Sequence, residues 1–120
     1  MQIKELIQEA HKTATEKGWW DKPDRNIPEL LALIHSEVSE ALEAYRIKGK
    51  DGLGDKWYSS PPVGDGSYSG KPEGFTVELA DVLIRIADLC AEFDLDLEQA
   101  LVEKMIYNKT RSYRHGNKVV

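Results

Sequence analysis

Residues 75–93 read FTVELADVLIRIADLCAEF, and this stretch decides the fold class. At helical spacing, its apolar side chains cover about two-thirds of the circumference, and its polar side chains fall on one narrow stripe. That stripe consists of Glu78, Asp81, Arg85, Asp88 and Glu92. A helix that is apolar nearly all round is covered by several neighbours, of which a small chain has few. The stretch therefore predicts an all-α fold in which another subunit supplies some of the neighbours of this helix.

Further segments with helical periodicity lie at residues 2–17, 28–48 and 97–113. Gly18 follows the first of them at the position of a C-terminal cap. Asp96 precedes the last as its N-cap, with Gln99 in capping-box register. No stretch predicts a strand. The chain is therefore predicted to form a four-helix bundle, and the short break before the last helix predicts that helices 3 and 4 are antiparallel neighbours.

A long segment between helices 2 and 3, residues 49–72, differs in composition from the rest of the chain. It is rich in glycine and proline, which disfavour a regular helix. A loop of this length in a small domain is often a functional lid or a mobile insertion. Its aromatic residues Trp57, Tyr58 and Tyr68 favour a segment that packs on something. We expect either a lid that selects a ligand or an insertion that packs on the surface or on a neighbouring subunit.

The overall composition fits one compact domain over residues 1–120. The formal net charge of -5 argues against a large basic surface for a nucleic-acid polymer. Met1 begins a polar segment without a signal-peptide core, and no apolar run approaches the roughly 20 residues that cross a bilayer. Cys90 is the one cysteine, so no internal disulfide can form. These features predict a cytoplasmic protein that binds neither membranes nor nucleic-acid polymers.

Two pairs of carboxylates stand out, Glu37 with Glu40 on helix 2 and Glu78 with Asp81 on helix 3. The three-residue spacing puts both members of a pair on nearly the same face. Glu37 falls inside the apolar arc of helix 2, where an ionised carboxylate without a partner is costly and a cation would stabilise it. Packing helices 2 and 3 together would bring four carboxylates around one point. Such an all-oxygen site suits Mg²⁺ or Mn²⁺.

The same carboxylates have simpler explanations. Acidic residues at this spacing are common on exposed helices, which is a sufficient account of Glu78 and Asp81 taken alone. For Glu37 the alternative is an internal salt bridge, with Lys104 or Arg111 as its partner. A di-iron bundle is disfavoured, because none of the three histidines follows a glutamate by three residues, as its Glu-x-x-His pairs require.

Polar and basic residues replace apolar ones toward the end of helix 4. Lys104, Asn108 and Arg111 share a face that is apolar earlier in the helix. Lysine and arginine are natural ligands of phosphate oxygens. Cations also favour a helix C-terminus through the helix dipole, which accounts for the basic tail at residues 114–118 but not for Lys104 in mid-helix. We therefore expect a phosphate-binding group here, although the chain has no Walker-type phosphate loop.

This ordered set of motifs resembles the MazG-like members of the all-α nucleoside triphosphate pyrophosphohydrolases. The resemblance spans most of the chain and rests on HSEVSEA at residues 35–41, ELAD at residues 78–81, KMIYNKTR at residues 104–111, and the following His115 and Gly116. One departure is the unusually long loop between the two acidic pairs. That departure bears on the substrate pocket more than on the chemistry.

The resemblance implies a metal site, an activity and an assembly. Family members hold Mg²⁺ through the residues that match Glu37, Glu40, Glu78 and Asp81. They cleave nucleoside triphosphates between the α and β phosphates, and they are dimers or dimers of dimers with the site near a subunit interface. The implied fold is a four-helix bundle of the family type.

The resulting hypothesis is an enzyme that hydrolyses a (d)NTP to a (d)NMP and pyrophosphate by means of a metal-activated water. The candidate catalytic residues are Glu37, Glu40 and Lys104, with Glu40 as the base because it lies at the rim of the apolar arc. The candidate substrate-binding residues are Lys104, Asn108, Arg111, Trp19 and Trp20, the tryptophans as stacking partners of the base. Tryptophans at a helix exit are more often core residues. The alternative is a helical interaction or regulatory module without turnover, in which the acidic residues form a salt-bridge network.

Overall fold

The computed structural model describes residues 1–60, 64–66 and 70–111, and this part of the chain is predominantly helical. The α-helices are α1 (Ile3–Glu16), α2 (Ile27–Lys48), α3 (Phe75–Glu92) and α4 (Leu97–Thr110). Short 3-10 turns follow α1 and α2, at Trp19–Asp21 and Lys50–Gly52. None of the helices in this part of the chain is both long and apolar enough to span a bilayer. The predicted all-α class is confirmed.

Local signals in the sequence set the helix boundaries. The backbone turns left-handed at Gly18, with φ of 82°, directly after α1 and its C-cap residue. Asn26 caps α2 by accepting a hydrogen bond from the backbone N–H of Glu29 at 2.9 Å. Asp96 caps α4 in the same way, accepting from the backbone N–H of Gln99 at 3.0 Å. The observed bounds therefore follow the predicted ones closely, except that α4 ends earlier, at Thr110.

α3 is the central helix of the chain, because α1 and α2 both pack against it. Two residues of its polar stripe are buried there, Glu78 at 5% and Asp88 at 7% exposure. The buried apolar residues are mostly small: Ala10, Leu30, Ala41, Ala44, Ala87 and Cys90. In contrast, Leu79 and Leu83 of α3 are 43% and 57% exposed. A single chain thus buries part of the polar stripe and leaves much of the apolar surface of α3 open.

The fourth helix does not pack along the others. Its apolar residues Leu101, Val102, Met105 and Ile106 are 38% to 59% exposed, and α4 has no extensive packing contact with another element of the described chain. The prediction that helices 3 and 4 are packed neighbours is therefore wrong within one chain. The physical reason is that the apolar residues of α4 are spread around the helix, so no single stripe can dock on α3. Packing of all four helices into one bundle is therefore not observed among the described residues.

The base of the long loop is folded against the ends of α2 and α3. Strand β1 (Trp57–Tyr58) pairs antiparallel with β2 (Pro72–Glu73), a short ladder that the sequence did not predict. The Thr76 hydroxyl donates to the carbonyl oxygen of Leu53 at 2.9 Å. Gly74 has φ of 138°, and a Cβ there would lie 2.4 Å from the carbonyl oxygen of Asp55. The ladder and these close approaches fix the two ends of the loop, whereas Tyr68 lies outside the described residues.

Candidate metal centre

An open cleft of about 750 Å³ is bordered by α1, α2 and α3. From α3, the stripe residues Asp81, Arg85 and Asp88 line it. From α2, Glu37 and Glu40 line it, and α1 contributes apolar residues that include Leu6, Ala10 and Ala14. Glu9 and Thr13 of α1 also line it, so the cleft is acidic on the side of α2 and α3 and both apolar and polar on the side of α1.

Three of the four predicted metal ligands meet beside this cleft. Glu37, Glu78 and Asp81 each offer a carboxylate oxygen, and these oxygens all lie within 4.8 Å of one another. The i, i+3 spacing on α3 and the packing of α2 on α3 bring them together. Glu40 lies at the exposed rim, close enough to Glu37 and Glu78 to affect the pKa of both. The buried position predicted for Glu37 and the edge position predicted for Glu40 are both observed.

Arg85 is the ion-pair partner of Glu37. Its Nε donates to Glu37 Oε1 at 2.8 Å. Burial is the largest single influence on Glu37 and favours its neutral form. The hydrogen bond and charge of Arg85, together with hydrogen bonds from Glu40 and Glu78, outweigh it and lower the pKa of Glu37. The internal salt bridge considered for Glu37 is thus present, but Arg85 forms it rather than Lys104 or Arg111.

Glu78 is the carboxylate of the cluster whose negative charge is least offset by hydrogen bonds or nearby cations. Burial, the hydrogen bond and charge of Glu40, and the charges of Asp81 and Glu37 together raise its pKa to about 7. Its Oε2 is buried and has no hydrogen-bond partner among the residues that the structure describes. Buried polar atoms nearly always have a partner, so this oxygen needs a proton or a cation.

Asp81 is subject to opposing influences. Burial and the charge of Glu37 raise its pKa, whereas the charges of Lys71 and Arg85 lower it in part. Lys71 lines the cleft with the carboxylates. Sequence reasoning missed both cations as site residues. Arg85 could have been found, because it lies one helical turn after Asp81 on the same stripe, but nothing local in the sequence places Lys71 at this site.

The predicted phosphate-binding residues of α4 lie away from the cleft. Lys104, Asn108 and Arg111 are exposed and are not among the residues that line it. The Lys104 Nζ and the Arg111 guanidinium lie 5.0 Å and 5.9 Å from the centre of the Tyr107 ring on their own helix. The basic tail at residues 114–118, including His115 and Gly116, lies outside the described part of the chain. Within one chain, the α4 residues and the carboxylates are therefore not brought together.

The two tryptophans have different surroundings. Trp19 lines the cleft, with the Arg25 guanidinium 3.5 Å from its ring centre. The Trp20 Nε1 donates to Asp88 Oδ1 at 2.9 Å, and its ring packs edge-on against Phe93. Trp19 is thus the tryptophan that borders the cleft, with Arg85 also 5.2 Å from its ring centre, whereas Trp20 joins the end of α1 to α3.

The donor set defines what the site can hold. The clustered ligands are all carboxylate oxygens, and one of them is buried without a partner. Such a set fits a hard divalent cation such as Mg²⁺ or Mn²⁺ better than a thiol- or imidazole-preferring metal. No family model, curated protein or solved structure matches this chain.

Proposed function

We propose that this chain is a Mg²⁺-dependent nucleoside triphosphate pyrophosphohydrolase, which converts a (d)NTP to a (d)NMP and pyrophosphate. The observation that carries the proposal is the buried, unpartnered Oε2 of Glu78 within a cluster of three carboxylates. A cluster of this kind, beside an open cleft with apolar residues on one side, suits a ligand that is anionic at one end and aromatic at the other. The resemblance to the MazG-like family supports the same activity.

The charges at the cluster support a divalent cation. Four carboxylates meet two cations there, Arg85 and Lys71, which leaves two formal negative charges when every group is ionised. One Mg²⁺ or Mn²⁺ would balance them and would remove the need for a proton on Glu78. When bound, the metal would offset the charge of the phosphate oxygens and polarise the attacking water.

The residues of the chain divide into three roles under this proposal. Glu37, Glu78 and Asp81 hold the metal, with Glu40 as a fourth ligand or as the base that takes a proton from water. Glu40 is exposed at the rim, so it can reach a water that the buried carboxylates cannot. Trp19 and the apolar residues of α1 accept the nucleoside. The 49–72 segment acts as a lid that affects nucleotide preference.

The proposed enzyme is a homodimer or a dimer of dimers in the cytoplasm. Leu31, Val38, Leu42 and Tyr45 of α2 are all at least 45% exposed, as are several apolar residues of α3 and α4. An apolar surface on three elements of so small a chain is typical of a protein that covers it with further copies. Assembly is also the route by which Lys104, Asn108 and Arg111 would reach a cleft, because they are remote from the cleft of their own chain.

A non-catalytic helical module is the second candidate. The ion pair between Arg85 and Glu37 favours it, because a salt-bridge network needs no metal. Pyrophosphate release from a panel of ribo- and deoxyribonucleoside triphosphates, measured with Mg²⁺ and with EDTA, separates the two. We expect Mg²⁺-dependent release that is lost in the Asp81→Asn variant. No release from any nucleotide by a metal-loaded, folded protein would favour the non-catalytic module.

A further inference from the structure

A lysine of the loop between α2 and α3, Lys71, lies beside the carboxylate cluster. Lys71 lines the same cleft as Glu37, Glu40 and Asp81. Its backbone is held at two points, because its N–H donates to Ser59 Oγ at 2.7 Å and its carbonyl oxygen accepts from the Ser59 N–H at 3.0 Å. It directly precedes strand β2, which continues the pairing. The backbone of Lys71 is therefore fixed, and its long side chain is exposed in the cleft.

The ammonium group of Lys71 is close to the cluster but is not neutralised by one carboxylate. Its charge lowers the pKa of Asp81, yet it forms no ion pair within 4.0 Å in the described chain. Arg85, the other cation beside the carboxylates, is already bound to Glu37. Lys17, the third cation that lines the cleft, lies at the end of α1. Lys71 is thus the cation beside the cluster that remains available to a ligand.

We propose that Lys71 binds the phosphate oxygens of the substrate at the carboxylate cluster. This inference rests on the proposed function and adds a phosphate-binding position that lies on the loop. A polyphosphate and a group of carboxylates are both negatively charged and repel each other. The polyphosphate can therefore bind there only if cations offset the charges of both groups. A metal would offset them on the inner side, and the Lys71 ammonium, with three donors on a flexible stem, offsets them from the loop side of the cleft.

A competing role for Lys71 is that of a counter-charge for Asp81 alone. The two roles differ in what the lysine affects. A counter-charge repels a divalent cation, so its removal would tighten metal binding and leave phosphate binding unchanged. A phosphate ligand loses charge-assisted hydrogen bonds to the anion when it is removed, which weakens phosphate binding.

The test is calorimetric titration of the full chain with Mg²⁺ alone, and then with inorganic pyrophosphate at saturating Mg²⁺. The variants are Lys71→Met, Lys71→Arg and, as a matched control, Lys56→Met, an exposed lysine of the same loop that does not line the cleft. We expect Lys71→Met to weaken pyrophosphate binding about tenfold or more. Lys71→Arg should retain most of the affinity, Lys56→Met should match the wild type, and Lys71→Met should bind Mg²⁺ at least as tightly as the wild type.

The outcomes distinguish this inference from the proposed function. If the wild type binds Mg²⁺ and pyrophosphate and Lys71→Met binds both equally well, the inference is overturned and the proposed function stands. The same holds if Lys71→Met and Lys56→Met weaken pyrophosphate binding equally, because the effect is then one of general charge. A wild-type protein that binds neither Mg²⁺ nor pyrophosphate would overturn both. Circular dichroism of each variant verifies that it is folded.

Discussion

Arg85 Nε donates to Glu37 Oε1 at 2.8 Å, joining α3 to α2 beside the carboxylate cluster. The pair keeps Glu37 ionised within a buried setting, and it leaves Glu78 as the carboxylate that lacks a partner. Arg85 therefore compensates Glu37, Lys71 offsets part of the charge of Asp81, and Glu78 is left without a cationic partner among the described residues. The stability of the metal-free protein should depend on this imbalance.

We expect Mg²⁺ or Mn²⁺ to stabilise the fold. At a free metal concentration a hundredfold above Kd, binding to the native state alone adds about 2.7 kcal/mol to the free energy of unfolding. For a domain of this size that raises Tm on the order of 10 °C. Melting curves in EDTA and in excess metal measure it, and Glu78→Gln should reduce the response. Superimposable wild-type curves would exclude the metal centre.

The metal-free protein should lose stability as the pH rises from about 4.5 to about 7. The pKa of Glu78 is raised from 4.5 to about 7, so in this window the native state binds more protons than the unfolded state. Its contribution is complete below pH 4.5 and is lost as pH rises through the folded pKa. The loss is on the order of 2 kcal/mol, because each pKa unit corresponds to about 1.4 kcal/mol and solvent in the open cleft screens part of the effect.

Urea unfolding in EDTA at several pH values measures this trend. Glu78→Gln should flatten it, since the amide does not titrate. Saturating metal should reverse it, because bound cation needs Glu78 ionised and deprotonation then favours the native state. A metal-free wild type that gains stability between pH 5 and pH 7 would contradict the burial of an unpartnered Glu78.

Substitutions at Asp81 and Glu37 should distinguish the effect of losing a metal ligand from the effect of losing the ion pair with Arg85. Asp81→Asn should lower turnover about a hundredfold or more, because the metal supplies several kcal/mol of transition-state stabilisation. It should leave the metal-free fold at least as stable as before, because burial and the charge of Glu37 disfavour the ionised form of Asp81. Glu37→Gln should abolish turnover and also cost about 1–2 kcal/mol of stability, because Arg85 loses a charged acceptor.

Circular dichroism, chemical unfolding and pyrophosphate release on the same preparations test this pair of substitutions. Equal stability losses for both variants, with no change in metal binding, would instead favour a purely structural salt-bridge network. Glu43→Gln is a suitable control, because Glu43 lies on the exposed polar face of α2 and borders neither the cleft nor the cluster.

The sequence predicted the helices and the two carboxylate pairs because both depend on local spacing. Gly18 and Asp96 mark helix ends through interactions within a few residues. Glu78 and Asp81 share a face of α3 by periodicity alone, and the apolar arc of α2 identified Glu37 as a buried charge. These signals require no knowledge of how the helices are arranged.

The remaining features depend on long-range arrangement, which periodicity does not specify. Lys71 lies beside the cluster because the two-residue ladder between β1 and β2 closes the loop. Strands this short and this far apart in the sequence give no local signal that they pair. Arg85 was visible as a stripe residue, but its choice of Glu37 depends on how α2 crosses α3. The position of α4 was mispredicted because its apolar residues surround the helix, so periodicity does not define one face that docks on α3.

The exposed apolar face of α2 should be a subunit contact. Leu42 is 56% exposed, and Leu42→Glu would place a charge in the proposed interface at a cost that favours the dissociated state. We expect a dimer or tetramer for the wild type and a helical monomer for Leu42→Glu. Ser36→Glu, at an exposed position about 120° around α2 from Leu42, should leave the assembly intact. Light scattering on a sizing column measures the mass, and a wild-type monomer at micromolar concentration would contradict the assembly.

The α4 residues should act on the cleft of a neighbouring copy. Lys104 and Arg111 lie away from the carboxylates of their own chain, so their proposed role in phosphate binding requires assembly. Asp81→Asn should inactivate one kind of chain, and the double variant Lys104→Met/Arg111→Met should inactivate the other. In a mixed dimer, the carboxylates of the second chain then meet the intact α4 of the first. One site of each mixed dimer is complete, so an equal mixture should regain about a quarter of wild-type activity if subunits assort at random.

Co-expression with two affinity tags supplies the mixed dimer, and pyrophosphate release from it is the readout. Mixing the two variants without subunit exchange is the control and should stay inactive. If the purified mixed dimer is as inactive as its parents, α4 does not complete the neighbouring site. The phosphate chain would then be held without α4 of the neighbouring copy, and Lys71 would remain as the cation already beside the carboxylate cluster.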